Sequence, residues 1–150
     1  MSELTELPEF RNTRLRVVEK RTNGIFKRRE ALVLAFTIRG VRATAMECPL
    51  EVVITRGSDR AQLKIESPLN VQPLVDLVGC HVRSVHVQSW PPGKYGAPLE
   101  RPVALHVEME ERSEHIEGLV TDILHVIVRA KVLEGNERSR EWGRLALDPW

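Results

Sequence analysis

The chain has 150 residues, with 42% apolar and 29% charged side chains and a formal net charge of +1. That length fits one domain able to bury a core without disulfide or metal staples; the balance excludes a disordered chain, and the net charge by itself points to no partner. No apolar stretch approaches the roughly 20 residues of a bilayer span, and the start, Met1-Ser2-Glu3-Leu4, lacks the basic and apolar segments of a secretion signal, so a soluble, cytoplasmic protein is expected.

Residues 1–12 are polar, with isolated apolar positions and a proline, and read as a flexible N-terminal arm ahead of a β-rich domain over 13–150. Leu15 to Lys20 reads as a first strand, and Asn23-Gly24 as a turn whose second residue tolerates positive φ. From Glu30 to Arg39, Leu32, Leu34, Phe36 and Ile38 share one face while Val33 and Ala35 occupy the other, which predicts a central strand ended by Gly40.

Pro49 to Glu66 reads as a β-hairpin with one wet face, turning at Gly57-Ser58-Asp59 and ended by Pro68. Val71, Leu74, Val75 and Val78 recur at helical spacing, so one or two helical turns stopped by Gly79 are expected. A strand follows from His81 to Trp90, then a Pro/Gly loop to Pro98. Arg101 to Glu111 alternates cleanly, with Val103, Leu105, Val107 and Met109 on one face.

Ser113 to Glu134 fits two periods. Ile116, Leu119, Val120, Ile123, Leu124 and Ile127 would stripe a helix, whereas Leu124, Val126, Val128, Ala130 and Val132 would face one way on a strand. Branched residues favour the strand in the second half, after a turn near Glu114 to Gly118. Glu141 to Leu147 reads as a last strand pairing back on Ile127 to Leu133. The fold class expected is mainly β: a single-domain antiparallel sandwich or barrel of about seven or eight strands, with room for one or two short helices.

No motif names a chemistry. There is no nucleophile elbow, phosphate loop or C-x-x-C, so no catalytic residue and no cofactor is assigned. The carboxylates Glu108, Glu110 and Glu111 read as a solvated strand face, and Cys48 and Cys80 as buried thiols. No histidine pair stands at a compact ligand spacing; His86, His106 and His125 are the weak metal candidates, conceivable only if strands bring them together.

Three functions remain. The first is a non-enzymatic protein-interaction or assembly module, such as an adaptor, inhibitor or virion-type subunit. It would meet a protein partner or a second copy through Trp90, Pro91, Pro92, Lys94, Tyr95 and Trp150, because aromatics in a stiff loop offer contact area at low entropy cost. The second is a small nucleic-acid-binding barrel using Arg14, Arg16, Lys27, Arg28 and Arg29 of the basic N-terminal half. The third is a metal- or ligand-binding barrel enzyme built on His86, His106 and Glu108. No membrane partner is expected.

Overall fold

The computed structural model describes residues 3–23, 29–38, 40–47, 49–66, 68–89, 100–115, 118–133 and 148–149. Ten strands are assigned: β1 (Glu3–Glu6), β2 (Thr13–Asn23), β3 (Arg29–Ile38), β4 (Gly40–Glu47), β5 (Pro49–Arg56), β6 (Gln62–Glu66), β7 (His81–Ser89), β8 (Glu100–His115), β9 (Gly118–Leu133) and β10 (Asp148–Pro149). A 3₁₀ turn spans Pro8–Phe10, and one helical turn, α1, spans Gln72–Val75. Eight of the strands hold five or more residues. The ten described strands form one antiparallel sheet in the order β10-β4-β3-β2-β7-β8-β9-β5-β6, with β1 beside β7.

The sheet curls into a half-barrel around one core. Its register shifts at Leu15/Val17, Val82/Ser84 and Pro49/Glu51, and such bulges bend a strand and add twist. On β8 Ala104 is buried on one face, and Val103, Leu105, Val107 and Met109 are buried on the other, as the alternation requires. The latter four meet Leu124, Val126 and Val128 of β9, Val52 and Ile54 of β5, and Leu32, Leu34 and Phe36 of β3 in a single cluster. β3 lies between β2 and β4, and Leu32 to Phe36 are buried on both faces, in agreement with the central strand expected.

Residues 1–12 are corrected where they are described. β1 pairs Glu3–Glu6 with Ser89–His86 of β7, and Leu7 and Phe10 are buried. The 3₁₀ turn steps the chain inward, so that Phe10 packs edge-on against Phe36 with ring centroids 4.9 Å apart. β2 then resumes on the same β7 edge at Thr13 and Arg14 before leaving to pair with β3. A three-residue turn carries no periodic signal, so two isolated apolar residues looked like an arm. β4 was also missed, because its sequence, Gly40–Glu47, holds little apolar bulk.

The helical turn forms before Gly79, which adopts φ +97, a conformation that favours glycine. Leu74 is its buried residue; Leu77, just beyond it, is also buried, and Val78 is exposed. The described part of Ser113 to Glu134 is strand, with β8 and β9 pairing out as far as His115 and Gly118, where Gly118 has φ +123. Residues 141–147, expected to pair back on β9, lie outside the described residues. β9 is already flanked by β8 and β5 as far as Ala130.

The β5–β6 turn is tied to β9. The Gly57 amide donates to the Ile123 carbonyl at 2.8 Å, and the Ser58 amide and hydroxyl donate to the Asp122 carboxylate at 3.0 and 2.8 Å. The Ser58 hydroxyl, with backbone donors and Arg56 assisting, holds the Asp122 carboxyl below its usual range. Its folded pKa is therefore lower than its unfolded one, so the stabilisation is complete above the ordinary aspartate value of about 3.9 and is lost as pH falls below it. Between about pH 5 and 3, Asp122→Asn should flatten the fall of the thermal midpoint relative to wild type; parallel curves by circular dichroism would contradict this.

Candidate functional site

Three features of the described surface have functional shape: a protruding ribbon, a polar end to the half-barrel and a histidine patch. The ribbon arises from strand length. β8 and β9 hold 16 residues each, but β7 stops pairing at Glu110 and β5 at Leu124. The pairs Arg112↔Thr121, Ser113↔Val120, Glu114↔Leu119 and His115↔Gly118 therefore stand beyond the sheet, with no third strand among the described residues. At about 3.4 Å per residue the ribbon projects roughly 13 Å.

The ribbon springs from the barrel end where Arg56 forms an ion pair with Glu111. Both are partly exposed, and Glu111 holds the Arg56 guanidinium above its already high value. This pair separates two shallow clefts that share Asp76 and Glu111. The larger, of about 480 Å³, contains Arg14, Cys80, His81 and Glu110. Burial pushes the Cys80 thiol up, the opposite of what a nucleophilic cysteine needs. His81 Nδ1 is buried without a hydrogen-bond partner and lies 3.6 Å from Glu110 Oε2. Glu110 also faces Arg83 and Arg112, so this acid is committed to cations.

On the outer face, His86 of β7 stands opposite His106 of β8, and His125 of β9 stands opposite Glu108. His106 Nδ1 lies 3.3 Å from His125 Nε2, and His106 Nε2 lies 2.8 Å from Gln88 Oε1. Burial, then the neighbouring His125, His86 and Arg129, press the His106 pKa below its ordinary value. Glu108 is 3.4 Å from Arg83. No group of three or more histidine, cysteine, aspartate or glutamate side chains converges as a metal site among the described residues.

No protein-family model, curated protein or solved structure matches this chain. Its functional reading therefore rests on geometry. The residues chosen for partner contact, Trp90, Pro91, Pro92, Lys94, Tyr95 and Trp150, lie outside the described residues. So do Lys27 and Arg28, while Arg29 begins β3. Arg14 and Arg16 are exposed on β2, and Arg14 donates to the Gly79 carbonyl at 3.1 Å. Lys20 likewise donates to the Leu69 carbonyl at 3.0 Å. Histidine convergence is partial, joining His106 to His125. Sequence reasoning misses the ribbon, and its signal is the 16-residue length of both β8 and β9. No described helix is long and apolar enough to cross a membrane.

Proposed function

We propose that this chain is a non-enzymatic protein-interaction or assembly module whose contact arm is the β8–β9 ribbon. The observation that carries this is the ribbon itself: four residue pairs held out from the sheet with no described third strand. Two-stranded hairpins are at best marginally stable in water, and they gain when another surface packs on them or another strand pairs with their edges.

The partner argued for is a second copy of the chain. A net charge of +1 leaves copies with little mutual repulsion. The ribbon carries both signs of charge in its sequence, Arg112 and Glu114, which suits pairing with a like ribbon. The nucleic-acid reading has less support, because Arg14 spends a donor on a backbone carbonyl. The enzyme reading has less still, because Glu108, Glu110 and Glu111 all face arginines.

Mass photometry and sedimentation test the proposal. The wild-type chain should self-associate as concentration rises from nanomolar to high micromolar. Replacing residues 113–120 with Asn-Gly, which closes the hairpin at Arg112 and Thr121 by a two-residue turn, should leave a folded monomer. A wild-type monomer at every concentration, or a shortened chain that assembles equally well, would count decisively against this reading.

A further inference from the structure

The histidine patch carries an inference independent of assembly. His106 and His125 lie on neighbouring strands, offset by two residues, because His106 pairs with Ile127 and His125 with Glu108. Their facing nitrogens, Nδ1 and Nε2, are 3.3 Å apart. A tetrahedral cation with metal–nitrogen bonds of about 2.0–2.1 Å has a ligand-to-ligand edge of roughly 3.3–3.4 Å. The pair is thus spaced as two ligands of one ion.

Gln88 supplies the second requirement. Its Oε1 lies 2.8 Å from His106 Nε2, an acceptor that keeps the imidazole proton on Nε2 and leaves the Nδ1 lone pair aimed toward His125. Metal-bound histidines characteristically have their second nitrogen fixed in this way. Without a metal, the same distance fits His125 Nε2–H donating to His106 Nδ1, and a cation would take the place of that proton. His125 is solvent-exposed, so water can complete the coordination shell.

We propose that His106 and His125 form a two-histidine site for a divalent, imidazole-binding transition-metal cation, zinc or copper in type, with Gln88 orienting His106. Arg129 opposes the charge brought in. Two protein ligands make this an exchangeable site, weaker than a four-ligand structural one.

The test uses the full chain, stripped of metal by a chelator and titrated with Zn²⁺ in a calorimeter. One equivalent should bind. His106→Ala and His125→Ala should each abolish binding, and Gln88→Ala should weaken it about tenfold. Circular dichroism checks that each variant stays folded. An independent reading comes from the wild-type chain, whose His106 and His125 imidazole nitrogen resonances should both shift on adding Zn²⁺. Absence of binding, binding that survives in the variant carrying both His106→Ala and His125→Ala, or shifts confined to other histidines would overturn the proposal.

Discussion

Phe10→Ala should destabilise the fold by about 3–5 kcal/mol, the usual cost of removing a fully buried phenylalanine. The residue is 0% exposed and packs edge-on against Phe36, itself 0% exposed. Aromatic pairs of this geometry add roughly 0.5–1.5 kcal/mol beyond their buried area. Position compounds the loss. Phe10 stands between β1 and β2, which occupy successive stretches of one β7 edge. The buried Thr13 hydroxyl donates to its carbonyl at 2.8 Å, which fixes the corner between them. Urea unfolding of the purified variant checks this: the midpoint should fall sharply with the slope unchanged. A shift of less than about 1 kcal/mol would mean that the N-terminal segment is not part of the core.

Leu124→Ala and Ile127→Ala should separate widely. Leu124 is 0% exposed on the inner face, in line with Val126 and Val128. Its truncation should cost about 2–5 kcal/mol. Ile127 faces outward between Val53 and His106 and is only partly buried. Its truncation should cost about 1 kcal/mol. On a helix these residues, three apart, would share one buried stripe and suffer together. Equal losses in denaturant titrations would therefore contradict the strand.

These two predictions fall where the sequence was least legible, for physical reasons. β8 could be read directly, because Val103, Leu105, Val107 and Met109 recur at a period no helix shares, with polar His106 and Glu108 between the last three. Ser113 to Glu134 could not, because apolar residues fill both the strand and the helix positions. The ambiguity is settled by pairing: β8 and β5 hydrogen-bond to β9 on either side. Leu7 and Phe10 were misread because their burial depends on a 3₁₀ turn and on β7, which follows about seventy residues later in the chain. The central position of β3 was visible, since Val33 and Ala35 made its second face apolar too.

Function was less legible than fold. A two-histidine pair from neighbouring strands depends on register, and register is not written in the spacing of His106 and His125. The ribbon depends on where β7 and β5 stop pairing, which is a property of their partners as much as of their own residues.

Hydrogen exchange read by mass spectrometry at two protein concentrations addresses the assembly arm most directly. At low concentration, amides of residues 112–121 should exchange rapidly, while those of Val103 to Met109 stay protected between β7 and β9. At high concentration the ribbon alone should gain protection as copies engage it. Identical exchange of the ribbon at both concentrations would contradict the account.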